Sequence, residues 1–140
     1  MTLKKSLFSS LLLLATTGLA LGDIIFPKAI DCTHNTKTCG LDQQGLFHVA
    51  NDPLYPIKAK QYHYANEVAV HFSTGGYDKI PIAIYLSTDG SSTIYVMSDN
   101  FVTEDAVKNN PNYIRQDGPY KSWNLYICRA TGSPENCGLA

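Results

Sequence analysis

Hydrophobic and polar residues alternate along several short stretches of this chain, a pattern typical of half-buried β-strands. The clearest stretch is 61–72. Successive side chains of a strand point to opposite sides, so this stretch has an aromatic and aliphatic face and a small, polar face. The first face comprises Tyr62, Tyr64, Asn66, Val68, Val70 and Phe72, and the second comprises His63, Ala65, Glu67, Ala69 and His71. The pattern therefore predicts a strand with one face against a core.

Six further stretches carry strand signals and are separated by turn-forming residues. Asp89-Gly90 predicts a hairpin between two of them. Asp117-Gly118-Pro119 predicts a second hairpin near the C-terminus. The predicted strands span residues 23–31, 46–50, 79–87, 92–97, 112–116 and 121–129.

One short helix is predicted between residues 100 and 110. Thr103 can cap its N-terminus, Glu104 and Asp105 suit its first turn, and the residues leading to Pro111 end it. Many short strands and little helix indicate an α+β fold. We expect a mainly antiparallel, curved β-sheet with one short helix, stapled by disulfides.

The N-terminus has the features of a secretory signal peptide. Two lysines are followed by a mostly apolar stretch at 7–15, and Ala20-Leu21-Gly22 fits a small-residue cleavage site. The apolar stretch is shorter than the ~18 residues that a membrane-spanning helix needs, so a retained anchor is the weaker alternative. We therefore expect a signal peptide at 1–22 and a single secreted β-rich domain at 23–140.

The charge of the chain argues against strong, non-specific binding to nucleic acid. The chain has 11 Lys and Arg, 12 Asp and Glu, and a formal net charge of -1. The predicted signal peptide contains two of the lysines and none of the acidic residues, so the predicted mature domain is more acidic still. Proteins that grip nucleic acid through phosphates usually carry a basic patch. A local basic face is compatible with the net charge.

Four cysteines on a secretory route predict two disulfides. Cys32 and Cys39 lie near the start of the predicted domain, and Cys128 and Cys137 lie near its end. Bridges between the two ends would close loops of about 90–105 residues, each worth on the order of 4 kcal/mol. We therefore expect end-to-end pairing, nested or crossed, with two local bridges as the alternative. Metal binding is disfavoured by the spacing and the oxidising route.

Histidine and glutamate recur at intervals of four as His63, Glu67 and His71. On a helix these side chains would converge on one metal ion. On a strand, successive members of the set lie about 13 Å apart, at ~3.3 Å per residue. Since the alternation favours a strand, we expect a polar strand face and no metal site.

Side chains suited to acid–base chemistry are present, but no spacing brings them together. The chain has neither a GxSxG motif nor a glycine-rich phosphate loop. His63, Glu67 and Arg115 supply the basic, acidic and cationic groups that hydrolases use. They are therefore the candidate site residues.

The segment PNYIR, which begins at Pro111, is followed by CRATG and then by a cysteine shortly before the chain ends; HFSTGGYDKIPI stands upstream. These segments resemble the fungal guanyl-specific ribonucleases of the N1/T1-like family. In that family a strand with a catalytic Arg leads through a hairpin to a Thr-His-Thr-Gly sequence. Arg115, Thr131-Gly132 and Cys137 match the family's Arg, Thr-Gly and terminal Cys.

The catalytic acid and base of that family are replaced in this chain. Lys79 stands where the family has glutamate, and Ala130 stands where it has histidine. Each such group is usually worth ~10²–10⁴ in rate. The family's long N-terminal helix also has no room between Cys39 and Leu46. The resemblance therefore implies a scaffold without its acid–base pair, in which Arg115 can still hold a phosphate.

Secreted ribonuclease-like proteins without these residues resemble effectors of plant-pathogenic fungi, powdery mildews included, which act by binding inside host cells. The resemblance implies a monomeric, non-enzymatic effector that binds a host protein or RNA, with no cofactor and no membrane anchor. His63, Glu67 and Arg115 would then be remnant phosphate- or RNA-binding residues. Two alternatives stay open: an active secreted ribonuclease or hydrolase that uses these three residues, and a small cystine-framed toxin.

Overall fold

A long central strand, β3, organises the part of the chain that the structure describes. The structure, a computed structural model, describes residues 23–43, 45–72, 79–117, 124–130 and 133–140. The predicted signal peptide, Gly118-Pro119 of the second predicted hairpin, and Thr131-Gly132 lie outside these ranges. The strands are β1 (Ala29–Asp31), β2 (Phe47–Val49), β3 (Gln61–His71), β4 (Ile82–Ser87), β5 (Thr93–Ser98), β6 (Tyr113–Arg115) and β7 (Leu125–Cys128). The helix α1 spans Glu104–Lys108, and 3-10 turns span Leu41–Gln43 and Pro134–Cys137.

The seven described strands form one sheet, and every strand pairing in it is antiparallel. The main order is β2-β5-β4-β3-β7-β6. β3 pairs with β4 on one side, while β1 and β7 share its other side, β1 at the N-terminal end and β7 at the C-terminal end. The predicted fold class is confirmed: the described part of the chain is a mainly antiparallel curved sheet with one short helix and two disulfides.

A bulge interrupts β3 between Tyr64 and Val68. Tyr64 pairs with Tyr85 of β4, and Val68 pairs with Ala83, so four steps along β3 match two steps along β4. Asn66 lies in the bulge with a φ of 68° and is exposed. The prediction that Asn66 shares the buried face was therefore wrong, because a regular alternation cannot anticipate extra residues in one strand.

The sheet has an inner face, which packs against the core, and an outer face. On β4 and β5 the inner positions include Ala83, Tyr85, Ile94 and Val96, all fully buried. The alternate positions form a half-buried apolar outer face: Ile82, Ile84, Leu86, Tyr95 and Met97. Phe26, which precedes β1, packs against Phe47 of β2 with ring centroids 4.7 Å apart. The N-terminal segment therefore crosses the core and reaches the edge strand β2.

Helix α1 forms where the capping residues predict it. The Thr103 hydroxyl accepts a 3.1 Å hydrogen bond from the backbone N–H of Ala106, which satisfies one donor of the first turn. Val107 is fully buried and belongs to the core, so the helix is anchored there by this side chain. Glu104, the first residue of the helix, consequently points its carboxylate toward the strands β6 and β7, where it meets Tyr126.

The disulfides are local, and the predicted end-to-end pairing was wrong. Cys32 bonds to Cys39 and Cys128 bonds to Cys137, with Cα–Cα distances of 4.1 and 5.8 Å. The first pairing follows from a turn: Asn35 accepts the backbone N–H of Cys39 at 3.0 Å and brings that residue back toward Cys32. A disulfide that closes a longer loop stabilises the folded state more, but only cysteines that the fold brings together can form one.

Backbone hydrogen bonds join the first described segment, at Ile24, to the C-terminal segment. Ile24 and Leu139 form an antiparallel bridge, in which the N–H of each donates to the carbonyl oxygen of the other at 2.6 and 3.1 Å. Leu139 is buried, with 2% of its surface exposed. The bridge thus provides the connection between the ends that disulfides were expected to make.

Candidate functional site

The structure places Arg115 and Glu67 on opposite faces of the sheet. Arg115 lies directly opposite Tyr126 in the β6–β7 pair, and directly opposed residues share a face. Tyr126 is buried and its hydroxyl reaches helix α1, so Arg115 lies at the rim of the inner face. Glu67 immediately precedes the buried Val68 and therefore belongs to the outer face. His63, between two buried tyrosines, is exposed on the outer face as well.

Glu67 is engaged in an ion pair on the outer face. Its Oε1 lies 3.4 Å from Nε of Arg129, and the two side chains are 27% and 64% exposed. Exposed pairs of this kind are worth about 0–1 kcal/mol. Glu67 thus interacts with Arg129, while Arg115, the cationic candidate site residue, is on the other face. Among the described residues, no group of three or more His, Cys, Asp or Glu is placed to hold a metal ion.

Arg115 is held by its neighbour across the hairpin. Its Nη2 donates a 2.6 Å hydrogen bond to Oδ1 of Asn124, which stands just before β7. Asn124 adopts a left-handed backbone conformation with a φ of 48°, which asparagine tolerates better than most residues. The side chain of Arg115 is nevertheless exposed. A guanidinium held in this way can bind a phosphate or a carboxylate through two parallel hydrogen bonds.

A tyrosine and a carboxylate lie beside Arg115. The Tyr126 hydroxyl donates a 2.7 Å hydrogen bond to Oε2 of Glu104. Burial raises the pKa of Tyr126, the hydrogen bond and charge of Glu104 raise it further, and the positive charge of Arg115 lowers it. Tyr126 therefore keeps its proton at neutral pH and stays a hydrogen-bond donor. We refer to Glu104, Arg115, Asn124 and Tyr126 as the Arg115 cluster.

The sequence did not indicate Glu104 and Tyr126 as site residues. Both were assigned to elements, Glu104 to the first turn of the helix and Tyr126 to a strand. Their place in the site follows from the register of the β6–β7 hairpin, which sets Tyr126 opposite Arg115. That register depends on the loop length and the bulges, which the residue pattern leaves open.

The two positions where the ribonucleases have an acid and a base lie apart. Lys79 precedes β4, and its N–H donates to the carbonyl oxygen of His71 at the C-terminal end of β3. The start of β7 is at the same end, since Leu125 pairs with His71. Ala130 follows the other end of β7 and is partly buried against the core. Lys79 and Arg115 thus share one end of the sheet, and Ala130 is at the far end of β7.

No protein-family model, curated protein or solved structure matches this chain. The likeness to ribonucleases rests on the segments quoted above and stays a prediction. Within the described residues, no helix is long and apolar enough to cross a membrane.

Proposed function

We propose that this chain is a secreted effector that binds a host protein or RNA without catalysis, on a ribonuclease-like scaffold. The Arg115 cluster forms its contact surface. The signal features at the N-terminus and the two disulfides support a secretory route, because disulfides persist in oxidising compartments. Action inside host cells belongs to the proposal through the resemblance alone.

The placement of Arg115 and Glu67 on opposite faces is the observation that carries the proposal. Hydrolysis of a phosphodiester by general acid–base catalysis needs the proton-transferring groups within hydrogen-bond reach of one substrate. His63 and Glu67 are on the outer face, and Arg115 is at the rim of the inner face. Lys79 and Ala130 also lack the carboxylate and the imidazole that the resemblance leads one to expect at these positions. This arrangement favours binding over catalysis.

The surroundings of Arg115 favour a protein partner. The carboxylate of Glu104 and the guanidinium of Arg115 both lie close enough to shift the pKa of Tyr126. The negative charge of Glu104 therefore repels a phosphate group at this surface. The chain also has more acidic than basic residues, which weakens binding to a polyanion. RNA is the second candidate, because the exposed Arg115 has the chemistry that binds a phosphate.

Incubating the purified mature protein with a fluorescently labelled RNA oligonucleotide tests the absence of catalysis. We expect the RNA to stay intact on denaturing gels. Turnover that Arg115→Ala or His63→Ala abolishes would overturn the proposal and establish the ribonuclease alternative. Inhibition of yeast growth by added protein, in turn, would favour the toxin alternative.

The two arginines of the chain provide a matched pair for testing the contact surface. Arg115→Ala removes the cation at the rim of the inner face, and Arg129→Ala removes the cation on the outer face. A partner captured from host leaf extract by the wild type should bind Arg115→Ala at least about tenfold more weakly, as for a central interface arginine. Its binding to Arg129→Ala should be unchanged. Equal affinities for the two variants would contradict the assignment of the surface.

Secretion is tested separately by expressing the full chain in a fungal secretory host. N-terminal sequencing of the protein in the medium should begin at Asp23, after the small-residue cleavage site. A product that stays with the membranes and retains residues 1–22 would contradict this part of the proposal.

A further inference from the structure

A cleft of about 610 Å³ opens beside the end of β2. Residues 36–38, within the Cys32–Cys39 loop, form one wall, and the segment 49–57, which begins at the last residue of β2, forms the other. Its volume lies within the ~300–1,000 Å³ typical of ligand sites. The cleft is at the end of the sheet where β2 stops, and the Arg115 cluster is at the other end. It therefore has no part in the site described above.

Among the residues that the structure describes, β2 is an edge strand and β5 is the one strand that pairs with it. The other side of its backbone has no strand partner among them. The N–H of Ala50 donates to Tyr95, and the carbonyl oxygen of Leu46 accepts from Asp99. Hydrogen-bonded pairs alternate with non-hydrogen-bonded pairs in an antiparallel ladder, so Val49 belongs to a non-hydrogen-bonded pair. The N–H and C=O of Val49 consequently point away from β5, on the side where an additional strand would pair.

Local hydrogen bonds and the disulfide fix both walls of the cleft. In the first wall, Oδ1 of Asn35 accepts the backbone N–H groups of Lys37 and Thr38 at 3.0 and 2.9 Å. In the second wall, the carbonyl oxygen of Asp52 accepts the backbone N–H of Tyr55 at 3.0 Å, and Oδ1 of Asp52 accepts that of Leu54 at 2.9 Å. A site that is formed before the ligand arrives loses less conformational entropy on binding.

The side chains of the cleft suit an uncharged, partly apolar ligand. Lys37 and Asp52 contribute one charge of each sign, which gives no advantage to a polyanion. Tyr55, Pro56 and Ile57 supply apolar contact area, and the Tyr55 ring is fixed against Tyr95 with centroids 4.7 Å apart. Leu54, at the tip of the same segment, is 80% exposed. Backbone groups on one side and apolar side chains on another are the two elements of peptide recognition by strand addition.

We propose that this cleft binds an extended peptide segment of a protein partner, which adds to β2 as a short strand. The inference rests on the proposed function, in that the chain is taken to be a binding protein. Main-chain hydrogen bonds to Val49 provide the pairing, and the apolar side chains of 55–57 select the residues of the peptide. The Cys32–Cys39 disulfide holds the opposite wall in place.

The test begins with selection of a phage-displayed random-peptide library on the purified mature protein. An enriched sequence is synthesised with a fluorescent label, and its affinity is measured by fluorescence anisotropy. Thr36→Trp fills the cleft from an exposed position, and Thr33→Trp, an exposed threonine of the same disulfide loop outside the cleft, is the matched control. Val49→Pro removes an outward N–H, which an edge strand tolerates, and it replaces a side chain that is partly buried against the core. Thermal unfolding shows that each variant folds.

Thr36→Trp and Val49→Pro should each weaken peptide binding at least about tenfold, which is about 1.4 kcal/mol. Thr33→Trp should bind as the wild type does. N-methylation of the peptide should abolish binding at alternate residues only, because every second N–H of a strand faces its neighbour. Failure to enrich any peptide, or affinities that Thr36→Trp and Val49→Pro leave unchanged, would overturn the inference. Binding of an oligosaccharide panel that Thr36→Trp blocks, without peptide binding, would also overturn it.

The outcomes for the cleft and for the proposed function are distinguishable. RNA turnover that depends on Arg115 would rule out the proposed function, whatever the cleft binds. Conversely, a peptide that binds Thr36→Trp normally and Arg115→Ala weakly would move the peptide site to the Arg115 cluster. The proposed function would then stand without the inference about the cleft.

Discussion

The hydroxyl of Tyr113 donates a 2.6 Å hydrogen bond to the carbonyl oxygen of Cys137. Both residues are buried, with exposed fractions of 7% and 2%. Burial raises the pKa of Tyr113, which is consistent with a hydroxyl that stays protonated in the folded state. The bond fastens the edge strand β6 to the C-terminal 3-10 turn and therefore supports the strand that presents Arg115.

Removing this hydroxyl should destabilise the protein. Tyr113→Phe leaves the Cys137 carbonyl oxygen buried without its donor, at an expected cost of about 1–3 kcal/mol in the free energy of unfolding. Urea denaturation measures the change. Ile114→Ala, at an adjacent position that is 62% exposed, should change stability by less than about 0.5 kcal/mol. A Tyr113→Phe variant as stable as the wild type would show that water replaces the hydroxyl.

Peptide mapping without reduction should identify two local disulfides. Trypsin cleaves after Lys37 and Arg129, which lie inside the two disulfide loops, so each bridge should join two peptides that are neighbours in sequence. A peptide from 29–58 joined to one from 122–140 would contradict the local pairing. Replacing either cysteine pair with alanine should cost about 2–3 kcal/mol, because loops of seven and nine residues constrain the unfolded chain less than long ones.

The bridge between Ile24 and Leu139 should make the last two residues important for stability. Leu139→Ala removes a buried side chain and should lower the free energy of unfolding by about 2–5 kcal/mol. Deletion of Leu139 and Ala140 should lower it further, because the hydrogen bonds to Ile24 are lost as well. Deletion of the exposed Ala140 alone is the control and should have little effect. If all three variants unfolded at the same temperature as the wild type, a structural role for the bridge would be ruled out.

Acid stability should depend on the turn between β4 and β5. The side chain of Ser87, and then the side chain and backbone N–H of Ser91, hydrogen-bond the Asp89 carboxylate and lower its pKa to about 2. The pKa of an unfolded aspartate is about 3.9. The folded-state pKa is depressed, so this contribution is present above pH 4 and is lost as the pH falls toward 2.

Asp89→Asn should therefore flatten the dependence of stability on pH between about 4 and 2, and Ser91→Ala should flatten it partly. Chemical denaturation at a series of pH values measures this dependence, and NMR titration of the carboxylate measures the pKa directly. An Asp89→Asn variant that loses stability with acid as steeply as the wild type would assign the acid sensitivity to other carboxylates.

Alternation was enough to predict the main elements of the sheet. The predicted strands at 61–72 and 92–97 correspond to β3 and β5 within one residue at each end, and Thr103 caps the helix as expected. The period-two pattern works there because each strand buries one face only. The predicted strand at 23–31 is mostly absent, since only Ala29–Asp31 pair as a strand and Ile24 joins the C-terminus.

The candidate site could be predicted only in part. Arg115 was identified by residue type and resemblance, but its face depends on the register of β6 against β7. Glu67 was placed on the correct strand face, and its partner Arg129 was not anticipated because the contact joins residues distant in sequence. The predicted disulfide pairing was wrong for a different reason: both bonds are local, and the spacing of the cysteines does not reveal the turn at Asn35 that returns Cys39 toward Cys32.

The bulge in β3 has a consequence for how this strand can change in length. Its surplus over β4 is two residues, an even number, so Val68 and the residues after it face the core as they would in a regular strand. Deleting two residues at Asn66 would leave the assignment of inner and outer positions intact beyond it. Deleting one residue would leave a single surplus residue, which an ordinary β-bulge absorbs while Val68 stays paired with Ala83. Length variants of β3 that lack one or two residues at Asn66 should therefore keep the pairing of its C-terminal half.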